Sequence, residues 1–201
     1  MTSAPRPDVV RLVVIDMQRV FRDEGQWQVP RYDEIVPVIE QLQQELGSSA
    51  VFTRFVRDET EHGAWAAYYQ RWNEMRYPAN SNAWDITIDV PGTATVVDAP
   101  TFSKWGPQLA ALVPEGTRMV LTGVATDCCV LSTALGAVDA GRFVTVISDG
   151  CAAVADQAQQ QTLALLGLLS PMCEVMTSDQ YLSRRTRNSL HRPRGEIAVT
   201  A

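Results

Sequence analysis

The stretch RMVLTGVATDCCVLSTALGA, residues 118–137, decides the fold. Arg118 to Thr122 forms an apolar run of the kind expected of a strand buried on both faces. Small residues follow, and then an amphipathic helical pattern. Cys128 and Cys129 therefore fall in the first turn of a helix, at the carboxyl end of a strand. Unpaired N–H groups and the positive end of the helix dipole favour a thiolate there, and such a thiol can serve as a nucleophile. The same residues also suit small buried apolar positions. Spacing alone does not separate the two cysteines.

Strand-like and helix-like patterns alternate on both sides of this stretch. Upstream, residues 11–16 are a second buried run. Residues 32–46 have helical spacing, with Ile35, Val38, Ile39 and Leu42 on one face and Gly47 as a stop. Residues 50–53 and 95–98 read as strands, 64–75 as an aromatic-rich helix, and 80–92 as loop. A helix over 107–113 starts at a proline. Downstream come a helix over 127–140, a strand over 143–148, a helix over 156–169 and a strand over 173–176. The alternation predicts an α/β fold: one Rossmann-like domain with an open, mostly parallel sheet and helices on both faces. It would span residues 1–183, followed by an extension, 184–201, with five arginines and little apolar periodicity.

Composition narrows the function. The chain has 201 residues, a net charge of −6 and a pI of about 4.9. Outside the tail there is no basic stripe for nucleic acid. No apolar run approaches the roughly 20 residues of a membrane span, and the first residues lack the apolar core of a signal peptide. A cytoplasmic protein is expected. Four cysteines form neither a disulfide framework nor a zinc-site spacing.

Asp16 ends the first strand after a run of apolar neighbours. In an open parallel sheet, ligands bind at the carboxyl ends of strands. Asp16 is thus a candidate general base beside a cysteine on another strand, or else a cap or turn residue.

Four segments together resemble the isochorismatase-like superfamily of cysteine hydrolases. They are Val14-Ile-Asp-Met-Gln18 with Phe21, Phe52-Thr-Arg54, Gly123-Val-Ala-Thr-Asp-Cys-Cys-Val130 with Thr133-Ala134, and Val146-Ile-Ser-Asp-Gly-Cys-Ala152. The superfamily includes nicotinamidases, N-carbamoylsarcosine amidases, ureido- and biuret-type amidohydrolases and isochorismatases. The resemblance covers roughly residues 10–180. It implies that Cys129 is the nucleophile, Cys128 a variable neighbour and Asp16 the catalytic aspartate. It also implies a cis peptide between Val124 and Ala125, with an oxyanion hole from the N–H groups of Ala125 and Cys129.

The chain departs from the family's pattern at a lysine. Where relatives read Lys-Pro-x-Tyr/Phe-Ser, this chain reads Ala99-Pro-Thr-Phe-Ser103, so Ala99 fills the lysine slot. The chain's single lysine, Lys104, lies five residues on. It reads as a surface residue at a helix start unless the loop turns back. An impaired site is therefore expected, in which Asp16 and a Cys129 thiolate would repel and share a proton.

A second departure concerns metal. Nicotinamidase-type members carry Asp-x-His after the second strand, where this chain reads Thr53-Arg-Phe-Val-Arg57. No metal or other cofactor is expected. Arg54 is a candidate for pairing with a substrate carboxylate or carbonyl. Gln18, Phe21, Trp65 and Trp105 are candidates to line the substrate pocket, with Tyr68, Tyr69, Trp72 and Tyr77 near Trp65. The expected partner is a small amide or ureido substrate, cleaved at its C–N bond through a thioester. The alternatives are a vinyl-ether hydrolase of the isochorismatase type, or an impaired relative that only binds a ligand. The resemblance also implies a homodimer or homotetramer.

Overall fold

The computed structural model describes residues 9–47 and 50–190. The strands are β1 (Val9–Ile15), β2 (Val51–Phe55), β3 (Thr95–Ala99), β4 (Thr117–Val124), β5 (Phe143–Ala152) and β6 (Cys173–Met176). The helices are α1 (Arg19–Arg22), α2 (Tyr32–Leu46), α3 (Ala64–Arg71), α4 (Pro107–Leu112), α5 (Leu131–Asp139), α6 (Asp156–Gly167) and α7 (Ser178–Leu190). One sheet runs in the order β3-β2-β1-β4-β5-β6, and every pairing in it is parallel. The predicted α/β Rossmann-like architecture is the one observed.

Side-chain alternation along the central strands builds two cores. Leu12 and Val14 of β1 and Val120 of β4 face one side, against Ile39 and Leu42 of α2 and Tyr181 of α7. Val13, Ile15 and Leu121 face the other, against Leu109 of α4, Ala134 and Ala137 of α5 and Leu166 of α6. Each fully buried Val, Leu or Ile contributes about 1.5–3 kcal/mol, so the sheet is clamped from both faces.

The chain winds outward from β1 to β3, then returns to β4 and winds the other way. The strand order therefore reverses between β1 and β4, the place where open parallel sheets bind ligands. Asp16 follows β1, and the cysteines follow β4. The strands meet there at unusually close quarters. Ile15 pairs with Gly123, whose φ is +107° and whose missing Cβ would overlap the Ile15 backbone. Only glycine fits both constraints. Gly123→Ala is expected to cost more than about 3 kcal/mol in urea denaturation, as backbone strain and overpacking combine. A loss within about 0.5 kcal/mol, the usual range for a harmless substitution, would mean that the contact is not fixed.

Several elements differ from the sequence expectation; among them, the helix expected over 64–75 ends at Arg71. The helix expected from residue 127 opens instead as a π-type turn, Thr126–Val130, before α5. β5 continues to Ala152 rather than stopping at Ser148, because after a register shift Cys151 and Ala152 pair with Gly123 and Val124. α7 runs across residue 184, where the extension was expected to begin. Asp149 anchors its start by accepting bonds from the Ser178 N–H (2.8 Å) and hydroxyl (2.7 Å), and Arg184 pairs with Glu174 at 3.0 Å. The rest of the expected tail, 191–201, lies outside the described residues. Among those described, no helix is long and apolar enough to cross a membrane.

Candidate active site

Asp16 leaves β1 in the left-handed region, with φ of 49°, which few residues other than glycine, asparagine and aspartate adopt. The turn directs its carboxylate into the protein, where it has no exposed surface. The Thr53 hydroxyl of β2 donates to Oδ1 at 2.6 Å and accepts from the Asp16 N–H at 3.2 Å. Oδ2 faces the Lys104 ammonium at 3.0 Å, off the hydrogen-bonding direction, and accepts no hydrogen bond. It is thus held by charge while keeping its lone pairs available.

Lys104 is not the surface residue that the sequence suggests. The loop after β3 turns back, and both side chains of the pair are completely buried. The Thr133 hydroxyl of α5 accepts the Lys104 N–H at 2.9 Å. The ammonium donates to the Thr101 carbonyl at 2.7 Å and lies 4.8 Å from the centre of the Phe55 ring. Ala99 plays no ionic part. It ends β3 opposite Phe55, and its carbonyl accepts the Val56 N–H at 3.2 Å. A cation does therefore accompany Asp16, supplied from position 104.

The peptide joining Val124 and Ala125 is cis. The Ala125 carbonyl accepts the N–H groups of Cys128 (3.0 Å) and Val130 (3.1 Å), which fixes the turn. Cys129 is buried and Cys128 is half-buried. The Cys129 thiol is held well above its ordinary pKa, first by its hydrogen bond with the Cys128 side chain, then by burial and by the Asp16 charge. Lys104 opposes these effects. The Cys128 hydrogen bond, burial and the neighbouring anion thus outweigh the helix terminus and favour the protonated thiol.

Aromatic rings roof this group. Trp65 packs on Phe102 with ring centres 4.8 Å apart, Tyr68 on Phe102 at 5.4 Å, and Trp65 on Phe55 at 6.0 Å. Tyr68 lies near enough to both cysteines that negative charge on either raises its pKa, although burial is the larger cause. Trp65 packs among these rings and also lines a neighbouring cleft.

The other candidates are engaged elsewhere. Gln18 is fully buried and clamps the backbone: its side-chain nitrogen donates to the carbonyls of Phe55 (3.0 Å) and Trp84 (2.7 Å), and its oxygen accepts the Phe55 N–H (2.7 Å). Phe21 is core, stacked on Trp27 at 6.1 Å. Arg54 forms a bidentate pair with Asp98 of the adjacent strand, at 2.8 and 2.6 Å. Trp105 packs on Gly136 of α5 and under Arg142 at 5.4 Å. The sequence reading missed Thr53, Thr133, Phe55 and Phe102. All four lie in or beside the quoted motifs, and an alternating inward face on β2 (Thr53, Phe55) is the signal that marks two of them.

An ionic cluster pins the roof segment. Glu61 accepts from Arg57 (2.7 Å) and Arg76 (2.8 Å), and both guanidinium groups lie over the Tyr69 ring. Hydrogen bonding to Arg76 is the main cause that lowers Glu61 from 4.5 to about 2. A depressed carboxylate stabilises the folded state fully above its unfolded value and loses that contribution as pH falls through its folded value. Tryptophan fluorescence is therefore expected to stay flat from pH 7 to 4, with Glu61→Gln raising KM several-fold and changing kcat less. A fluorescence transition centred near 4.5 in the unaltered chain would contradict the pairing.

The same cluster borders a cleft of about 230 Å³ lined by Asp58, Glu61, His62, Trp65, Tyr69 and Thr101, among others. It meets the buried group at Thr101, whose carbonyl receives Lys104. Among the described residues, no three His, Cys, Asp or Glu side chains are grouped so as to hold a metal ion.

Solved structures of the same fold are numerous. The chain is similar to a cysteine hydrolase from Pseudomonas syringae pv. phaseolicola 1448A (TM-score 0.79, 19% identity, 91% of this chain and 95% of that chain covered). It is similar to the N-carbamoylsarcosine amidase of Thermoplasma acidophilum (0.68, 22%, 85% and 97%). It is also similar to the pyrazinamidase of Pyrococcus horikoshii, solved in complex with zinc (0.67, 24%, 84% and 98%). At these identities the likeness speaks for the fold. No curated protein matches the chain. The isochorismatase domain family, however, matches residues 10–180, a span that includes Asp16, Lys104 and Cys129, and the chain belongs to this family of hydrolases.

Proposed function

We propose that the protein is a cysteine amidohydrolase acting on a small amide or ureido compound. The observation that carries the reading is the fully buried Asp16–Lys104 pair, close enough to Cys129 that the Asp16 charge raises its pKa and the Lys104 charge lowers it. In the proposed cycle, Cys129 Sγ attacks the substrate carbonyl carbon while Asp16 Oδ2 takes the thiol proton. The oxyanion receives hydrogen bonds from the N–H groups of Ala125 and Cys129. Collapse breaks the C–N bond, and Asp16 returns its proton to the departing ammonia or amine. Water then adds to the thioester, losing a proton to Asp16, and the acid and free thiol are released. The sum is amide plus water to carboxylic acid plus amine.

Lys104 has two parts in this scheme. Its charge faces Asp16 Oδ2 and compensates the buried carboxylate, and it partly offsets the effects that make the Cys129 thiolate costly. This role removes the reason for expecting an impaired ligand-binding relative. Vinyl-ether hydrolysis is disfavoured because that chemistry gives the Cys129 thiol, which lies within reach of the Asp16 and Lys104 charges, no part to play. Ammonia release over a panel of small amides and ureido compounds tests the reading. Turnover that Cys129→Ala abolishes is expected. Turnover that persists in Cys129→Ala would end it.

A further inference from the structure

We propose that Cys128 and Cys129 form a redox-active dithiol, a modification site at which a hydroperoxide joins the two sulfurs in a disulfide and a small dithiol releases them again. The chemistry of the pair stands apart from the amidohydrolase reading; only the loss of turnover on oxidation rests on that reading.

Three observations support the site. First, the two cysteines are adjacent on one turn and their side chains share a hydrogen bond, so each sulfur lies within reach of the other. Second, they differ in access. Cys128 is half-buried and Cys129 is buried, so a reagent from solvent meets Cys128 first. Third, the other two cysteines are engaged in the core. Cys151 and Cys173 are buried on β5 and β6, and the Cys151 thiol points to the Leu121 carbonyl at 3.8 Å.

The steps balance. The Cys128 sulfur attacks the outer oxygen of the hydroperoxide ROOH, the O–O bond breaks, and Cys128 sulfenic acid and the alcohol ROH form. The Cys129 sulfur then attacks the Cys128 sulfur, the S–O bond breaks, and the hydroxyl leaves as water with the Cys129 proton. Two thiols and ROOH become one disulfide, ROH and water: the sulfur pair gives up two electrons and the peroxide takes them. The product is a reversible form. The peptide between the two cysteines is trans, so their Cα atoms are about 3.8 Å apart, closer than the roughly 4.4–6.8 Å usual for a disulfide, and a bond so strained is readily reduced. The pairing also protects. A lone oxidised cysteine climbs to the sulfinic acid, which a dithiol does not reduce, whereas condensation with a second thiol stops at the disulfide.

The test treats the full chain with a graded series of hydrogen peroxide and follows it by peptide mass spectrometry before and after dithiothreitol. Turnover is read against each protein's own untreated rate. The expected result is a mass loss of about 2 Da, mapped to a Cys128–Cys129 link, with turnover falling in step and dithiothreitol reversing both. Cys128→Ser keeps the size of the side chain and a hydrogen-bonding group. At doses that inactivate it, this variant should instead gain about 32 Da at Cys129, and dithiothreitol should not return its turnover. Cysteines that stay reduced or are oxidised singly in the unaltered chain would overturn the inference, as would a link from Cys129 to Cys151. Recovery as full in Cys128→Ser as in the unaltered chain would overturn it too. The mass measurement needs no substrate, so the two readings fail separately. Turnover that survives complete formation of the Cys128–Cys129 link would leave the dithiol standing and end the amidohydrolase reading.

Discussion

Lys104→Met should lower kcat/KM by at least about 10³-fold, a loss comparable to removing a preorganised electrostatic group. It should also destabilise the fold by about 3–5 kcal/mol, because it strands a buried carboxylate. Both effects follow from one geometry. Lys104 is the charge opposite Asp16 Oδ2 at 3.0 Å, and neither side chain reaches water. Without the ammonium, the buried Asp16 carboxylate would lose the charge opposite its Oδ2. The thiol would also lose the one neighbour that lowers its pKa. Urea denaturation of Lys104→Met should show the stability loss directly, and a midpoint unchanged from the unaltered chain would contradict the buried pairing. The Ala99→Lys substitution separates the two candidate slots. Alone it should bring no gain in turnover, because the Asp16 position already has its cation. In the Lys104→Met background it should recover part of the lost rate if residue 99 can reach Asp16. A large gain from Ala99→Lys alone would show instead that Lys104 does not serve this site.

Exchanging the two cysteines should give opposite results. Cys129→Ser is expected to cost about 10⁴-fold or more in kcat, as loss of a nucleophile does when its base stays in place. Cys128→Ala should leave turnover within about an order of magnitude and move the pH profile. The Cys128 hydrogen bond is the largest cause holding the Cys129 pKa up, so its removal lowers that pKa. The rate of Cys129 alkylation by iodoacetamide, which follows the thiolate fraction, should then rise at a lower pH than in the unaltered chain. An alkaline shift, or loss of activity in Cys128→Ala equal to that in Cys129→Ser, would contradict the assigned roles.

The order of elements was legible because each strand and helix has its own apolar period. β6 matches its predicted span, residues 173–176, and α2 matches 32–46. What the sequence hid was set by contacts between distant residues. Ser148-Asp149-Gly150 has the composition of a turn, yet the strand resumes because Gly123 and Val124 offer a ladder to Cys151 and Ala152. The π-type turn at Thr126–Val130 uses residues that would equally suit an α-helix, and only the two N–H groups sharing the Ala125 carbonyl distinguish it.

The site divides in the same way. Asp16 and Cys129 are marked by position, each following a central strand. Lys104 is placed by Thr133, which holds its N–H from a helix 29 residues away, and no local pattern announces that bond. The partners that Arg54 and Gln18 take were hidden for a related reason. A strand's period of two tells which face a side chain takes, but not that Asp98 on the next strand or the Phe55 and Trp84 backbones would claim it.

Trapping the covalent intermediate tests the central claim most directly. A full-length protein that turns over an amide would be mixed with that amide, quenched in acid within the turnover time and measured by intact-protein and peptide mass spectrometry. The predicted result is a mass increase equal to the acyl group on Cys129, retained in Cys128→Ala and absent from Cys129→Ala. Turnover with no acyl adduct, or an adduct on Cys128 that survives in Cys129→Ala, would contradict Cys129 as the nucleophile beside Asp16 and Lys104.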